Sequence, residues 1–220
     1  RALVDGRIDK AKLRNTCLGL AESQRLREDI ASDVYIKGAR LEAISFALAA
    51  IEIYQKEEGQ KQGFCFHTNQ VLAILLLTEI MAPASNLKGI MDALLPKEKI
   101  VGYVIKLATG EGKTIALAVS AYVFSRVNKG CHISAHNPEI PYMQGKKMAE
   151  ILAGWLNTSI GIVGLPREGK EVDYIYRYDP SRENGVSEEE IVDSKTQDPV
   201  KKAYSCDVTY GDKSTMNFDY

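Results

Sequence analysis

The sequence predicts an α/β fold, a parallel sheet flanked by helices, with a helical segment ahead of it. Three observations carry this. From residue 100 onward, short apolar runs rich in β-branched residues alternate with helical patterns. A glycine-rich turn, Thr109 to Gly112, separates the first of those runs from a helix. The first 60 or so residues read as helix throughout. The chain therefore divides into an N-terminal helical segment, 1–63, and an α/β domain, 64–220.

The elements follow in order. Ile8 to Ile30 is a weak helical stretch, and Ser32-Asp33 and Gly38 break it from the next. Ala39 to Tyr54 places Leu41, Ile44, Leu48 and Ile51 at steps of three and four, an amphipathic helix with one core-facing stripe. Gln55 to Gly63 is polar and reads as a loop. His67 to Met81 is an apolar helix with Thr68 and Asn69 as N-cap candidates. Ala82 to Lys99, with two prolines and a short helical pattern at 87–95, reads as an inserted connection.

Ile100 to Ile105 suits a buried strand. A helix from Lys113 to Val127 follows the glycine-rich turn, and Asn128-Lys129-Gly130 closes it. Cys131 to Ala135 is a second strand, a helix runs from Glu139 or Tyr142 to Leu156, and Ser159 to Val163 is a third strand. Residues 166–198 are polar and acidic, with a strand at Val172 to Tyr178 and a short helix at Ser187 to Asp193. Pro199 to Tyr204 fits a short helix and Asp207 to Tyr210 a final buried strand.

The 220 residues suffice for one sizeable domain, or one with an appendage, whose core needs no disulfide or metal staple. Lys and Arg number 28 against 29 Asp and Glu, a net charge of −1, which counts against a dedicated nucleic-acid binder. The longest strongly apolar run, Val71 to Leu77, falls far short of the roughly 20 residues a membrane span needs. Arg1 to Lys10 holds no signal-peptide core, and an opening Arg in place of Met reads as a fragment or a processed product. Cys17, Cys65, Cys131 and Cys206 form no CxxC pair and read as reduced residues of a cytosol-like compartment.

The chemistry concentrates in Thr109-Gly110-Glu111-Gly112-Lys113-Thr114, set between a predicted strand and a predicted helix. Glycines there let successive backbone N–H groups point into one concavity that cradles phosphate oxygens. The helix beginning near Lys113 turns its positive end to the same anion. Lys113 would reach the β and γ phosphates as a point charge, and Thr114 would ligate Mg²⁺ through its hydroxyl. The glycine that opens the full loop pattern is absent, its position being Leu107. A tight glycine turn beside a solvated lysine is the plainer alternative.

At these residues the chain resembles the SecA preprotein-translocase motor, a branch of the superfamily 2 ATPases whose members commonly lack that first glycine. Lys106 to Thr114, KLATGEGKT, is similar to the phosphate loop of that family, and Gly130 to Ile140, GCHISAHNPEI, to its next segment. Trp155 to Pro166 is similar to the short strand after that. Asp207 to Gly211, DVTYG, with Phe218-Asp219-Tyr220, resembles a stretch reading DITYG and then GFDY. His67 to Leu77 resembles the segment with an adenine-reading glutamine, here Gln70. The departures are Pro138 for an acidic residue, Lys213 to Asn217 for an Asn-rich run, and insertions at 82–99 and 167–198.

The resemblance implies a RecA-like parallel sheet, ATP or ADP with Mg²⁺ as cofactors, and Thr109, Gly110, Glu111, Gly112, Lys113, Thr114 and Gln70 as nucleotide-binding residues, with Thr114 on the metal. It implies a polypeptide or protein partner, no nucleic acid, and a cytoplasmic place with peripheral membrane contact through a longer protein; a secreted effector stays open. No acid is seen to end an apolar strand as a Walker-B residue does, Glu188 to Glu190 reading as a solvated helix face. In the family that strand lies beyond the FDY segment. The chain therefore reads as the ATP-binding portion of a SecA-like motor, inactive as an ATPase by itself. The alternative is a repurposed SecA-like module serving as a nucleotide-binding or interaction scaffold, and a helicase fragment stands behind both.

Two further groups stand out. His132 and His136 share a strand face but have no carboxylate set with them, which speaks against a metal site, while His136-Asn137 could line the rim of the nucleotide site. Tyr174, Tyr176 and Tyr178 make an aromatic stripe, which reads as a half-buried hairpin strand or a partner-binding edge rather than a base-stacking surface.

Overall fold

A computed structural model describes residues 3–4, 7–8, 14–16, 18–19, 36–57, 66–80, 106, 112–127, 130–167, 170–192 and 202–218. The expected strand at 100–105, the connection at 82–99 and loop residues Thr109, Gly110 and Glu111 lie outside these.

Leu3–Val4 (β1) and Arg7–Ile8 (β2) pair antiparallel, with Val4 opposite Arg7. This corrects the all-helical reading of the N-terminus. The signal was present, since Asp5-Gly6 between two short apolar steps is a hairpin dipeptide. Residues 14–16 and 18–19 are helical.

Helix α1 runs Ile36–Glu57. Its buried side is built from Ala43, Ile44, Ala47, Ala50 and Ile51, while Leu48 is half-buried. Small alanines let the helix lie close against its neighbours, and two isoleucines supply about 1.5–3 kcal/mol each of burial. The helix continues through Gln55, which is buried, so the loop expected from residue 55 starts later. Helix α2 spans Thr68–Ile80 and packs on α3, Lys113–Val127, whose bounds match the sequence reading.

The main sheet has five strands in the order β3-β7-β4-β5-β6: β3 Cys131–Ala135, β4 Ile160–Arg167, β5 Lys170–Tyr178, β6 Val186–Val192 and β7 Val208–Asp212. The first three in that order are mutually parallel, and β5 and β6 extend the sheet antiparallel. The fold is thus α/β, with a mixed sheet whose parallel part is flanked by helices. Every residue of β7 is buried, as expected of a strand covered on both faces.

Helix α4, Glu139–Leu152, buries Pro141, Gly145, Met148, Ala149 and Leu152 along one stripe. At Gly145 it touches the sheet so closely that a Cβ would stand 2.7 Å from Ile162 Cδ1. Asn137 Oδ1 accepts from Glu139 N at 2.9 Å and opens this helix. After the turn at 153–156, Asn157 takes a positive φ of 45°. Arg126, from the end of α3, holds that turn by donating to Leu156 O and Asn157 O and to Thr158 Oγ1.

The segment Ser187 to Asp193 is not a helix: Val186–Val192 is strand β6. Glutamate favours helix locally, but tertiary pairing overrides that preference. Seven residues pair with β5, with Tyr176 opposite Glu188 and Arg177 opposite Ser187. Glu188 lies 3.9 Å from Lys146, and Glu189 pairs with Arg177 and Lys202. The three glutamates therefore alternate between the two faces of the sheet's edge strand, with Glu188 and Glu190 exposed and Glu189 half-buried. The aromatic stripe on β5 resolves as the hairpin-strand reading, for Tyr174 and Tyr176 are buried and the Tyr142 ring packs tilted against Tyr174 with centroids 5.1 Å apart. Residues 202–204 are helical and a short helix α5, Lys213–Phe218, ends the described chain.

Cys131 and Cys206 are free thiols, and burial pushes both up to about 11, so they stay protonated at neutral pH.

Candidate functional site

The site is built where two helices begin. Helix α3 starts at Lys113, and Gly112 immediately before it has φ +69°, a conformation that favours glycine. Gly112 O accepts from Ile115 N at 3.1 Å and from Ala116 N at 3.2 Å, so Gly112 is the capping residue. Helix geometry then leaves the N–H groups of Lys113 and Thr114 without an intrahelical acceptor. Lys113 is exposed beside them and Thr114 is half-buried. The rest of α3 is anchored, with Ala116, Ala118, Val119, Ala121, Tyr122 and Val123 all buried. A rigid helix thus presents a positive end, an ammonium group and a hydroxyl together.

Helix α2 begins at the same place. His67 O accepts from Gln70 N at 2.9 Å and from Val71 N at 3.2 Å, and Gln70 Oε1 accepts from His67 N at 2.9 Å. This is a reciprocal cap with Gln at the third helical position. The cap is His67, not Thr68 or Asn69, and the glutamine three residues on was its sequence signal. Gln70 is buried, and a Cβ on Gly112 would fall on its Nε2. The intervening 82–99 segment therefore does not separate Gln70 from Gly112.

Arg126, at the end of α3, bonds Thr158 just before β4, so α3 ends by the starts of the parallel strands and Gly112, at its other end, lies toward where β3, β4 and β7 finish. Ligands of open α/β sheets bind at that end. Asp212 stands there at the end of β7, an acid that does terminate a buried strand, contrary to the sequence reading. Its oxygens are engaged: Oδ1 accepts from Ser214 N and Thr215 N at 2.6 and 3.0 Å and from Ser214 Oγ, and Oδ2 accepts from Thr215 Oγ1 at 2.9 Å. Burial works to raise its pKa, but these hydrogen bonds outweigh it and hold the carboxyl below its usual range. A depressed folded pKa gives stability that is present above the unfolded value of about 3.9 and lost as pH falls through the folded value. Asp212→Ala is expected to cost about 1.5 kcal/mol at pH 7, with the gap to wild type narrowing below pH 4 in urea melts. A gap constant from pH 7 to pH 3 would contradict this assignment.

His136 and Asn137 follow β3 and are exposed, and Asn137 is occupied in opening α4. His132 packs against Tyr204 with the rings tilted and their centroids 5.7 Å apart, and no cluster of three metal-ligating side chains occurs among the described residues. The Asp207 of DVTYG sits at the opposite edge of the sheet. Its Oδ2 accepts from Ser159 N and Ser159 Oγ, both at 2.8 Å, and its O accepts from Cys131 N at 3.0 Å. It joins the starts of β3, β4 and β7, a role the sequence did not disclose.

Comparison with known proteins identifies the family. The family model for the SecA DEAD-like domain matches residues 22–220. The protein translocase subunit SecA of Methylococcus capsulatus is 29% identical over 119 residues, covering 54% of this chain and 10% of that protein. That of Antithamnion sp. is 30% identical over the same length, again 54% and 10%, and that of Roseiflexus sp. 26% identical over 130 residues. The chain spans about a tenth of the length of the curated relatives it matches.

Proposed function

From this chain's membership of the SecA DEAD-like domain family, we propose that it is the ATP-binding portion of a SecA-like protein-translocation motor. The observation that carries the reading is Gly112 at φ +69°, capping α3 with exposed Lys113 beside it and the start of α2 against it. Residues 109–114 would wrap the phosphates, with the free N–H groups of the first turn of α3 as donors. Lys113 would balance the β and γ phosphates, and Thr114 would turn its hydroxyl to Mg²⁺. One protein hydroxyl suits this ion, which keeps waters and phosphate oxygens as its other ligands. Thr109, Gly110 and Glu111 precede Gly112 in the same motif and would complete the cradle, with Gln70 packed against Gly112.

The proposed partner is a polypeptide rather than a nucleic acid, acting with a longer protein that supplies the catalytic acids. A cytoplasmic place, peripheral to a membrane, fits the absence of any described helix long and apolar enough to cross one. A repurposed module that binds nucleotide without turning it over is the second reading. Its support is the set of departures from the family pattern, Pro138 and Lys213 to Asn217 among them.

Calorimetric titration with ATP·Mg²⁺ tests the reading. Lys113→Ala is expected to weaken binding by about 10- to 100-fold, the value of one charge-assisted contact. No turnover is expected from residues 1–220 alone. Equal affinity in the two proteins would sink the phosphate-loop assignment.

A further inference from the structure

We propose, independently of the phosphate-loop reading, that the outer face of helix α4 docks a second copy of this chain, the two helices meeting antiparallel about a twofold axis at Met143. One side of α4 is spent on the core, where Pro141, Gly145, Met148, Ala149 and Leu152 are buried. The opposite side carries Glu139, Met143 and Lys147, all exposed. These three stand four residues apart, so they form one row along the helix. Met143 is 67% exposed, more than any other large apolar side chain among the described residues. Ile140, one turn before it, is exposed as well. A methionine is unbranched and adaptable, which suits it to the centre of a contact between surfaces.

The charges on this face select the occupant. Glu139 precedes Met143 by four residues and Lys147 follows it by four. A twofold axis at Met143 brings each Glu139 opposite the Lys147 of the other copy, so two ion pairs flank a contact of Met143 with its equivalent. Each charge stands about 6 Å along the helix axis from Met143, and packed helix axes lie about 8–10 Å apart, a gap that two such side chains span. Neither Glu139 nor Lys147 has an ion-pair partner among the described residues. Their neighbours are engaged: Lys146 lies 3.9 Å from Glu188 and donates to the Tyr142 hydroxyl, and Glu150 accepts from the Tyr54 hydroxyl. In the same register Ile140 falls opposite Lys146 and packs on its aliphatic stem. A parallel pairing would instead set Glu139 against Glu139. The open edge of the sheet is defended against self-pairing, since Glu188 and Glu190 of β6 are exposed there and would meet like charges.

One helix face per copy buries less than a standard interface, so the dimer is weak, with a Kd of about 10–100 µM. Sedimentation equilibrium of the chain, from about 5 to about 500 µM, reads this range. Met143→Glu is expected to weaken dimerisation by more than about tenfold, with thermal melting of the monomer unchanged because the residue is exposed. Glu139→Lys and Lys147→Glu should each weaken it by about tenfold. Mixed in equal amounts, these two single variants should pair with each other within about threefold of wild-type strength. The double variant Glu139→Lys/Lys147→Glu should regain self-pairing to the same extent, since both ion pairs return with their signs exchanged. A chain that stays monomeric at about 500 µM would overturn the proposal and leave this face to a different partner. So would a dimer that Met143→Glu leaves intact, or a loss in the single charge variants that neither the mixture nor the double variant recovers. Should Met143→Glu not fold, the charge exchange decides by itself.

Discussion

Gly112→Ala is expected to weaken ATP·Mg²⁺ binding by about 100-fold and to lower folding stability by about 3 kcal/mol. Two costs meet at one carbon. At φ +69° an L side chain crowds its own carbonyl, worth about 1–2 kcal/mol. The new methyl would also fall on Gln70 Nε2, and the amide cannot yield without giving up its bond to His67 N. Either the glutamine leaves, freeing the start of α2, or the backbone rotates, turning the first N–H groups of α3 off the phosphates. Urea melts and calorimetry read the two effects separately. Near-wild-type stability together with near-wild-type affinity would show that neither constraint is real.

The second large effect lies at the other edge of the sheet and should leave the nucleotide untouched. Asp207→Ala removes a carboxylate that holds both the N–H and the hydroxyl of Ser159, at 2.8 Å each. Hydrogen bonds to a charged group contribute about 1.5–3 kcal/mol each, so a loss of about 3 kcal/mol is expected, roughly 10 °C in Tm for a chain of this size. Asp207→Asn keeps one acceptor in place and should lose about half as much. Because Asp207 joins the starts of β3, β4 and β7, while Gly112 lies toward their ends, ATP affinity per folded molecule should not change. A stable Asp207→Ala chain that binds ATP poorly would invert these roles.

What the sequence revealed follows how local each determinant is. Helix α3 was legible to its end residues because glycines precede it, apolar residues fill it, and Asn-Lys-Gly follows. Strand β7 was legible as a short run buried on both faces, and β3 as a short segment in which Ile133 alone is buried between exposed His132 and Ser134. Strand β6 was not, because Glu188 to Glu190 favour helix alone and only their pairing with β5 makes them a strand. The loop of the candidate site was legible because its chemistry is contiguous. Its neighbour Gln70 was recognisable only by resemblance, and its closeness to Gly112 needed the packing of α2 on α3. Asp207 shows the limit most clearly. Its motif stood out as a string, yet its role depends on Ser159, 48 residues earlier. Asp212 escaped notice because the final strand runs two residues further than Tyr210, which puts the acid at its end.

The central claim is that nucleotide phosphates sit where α2 and α3 begin. Hydrogen exchange of the chain with and without saturating ATP·Mg²⁺ tests it most directly. Protection should rise together at 112–116 and at 67–71, with the 157–160 and 206–208 segments at the far edge of the sheet unchanged. Protection confined to that far edge, or none at either helix start at saturating ATP·Mg²⁺, would contradict it.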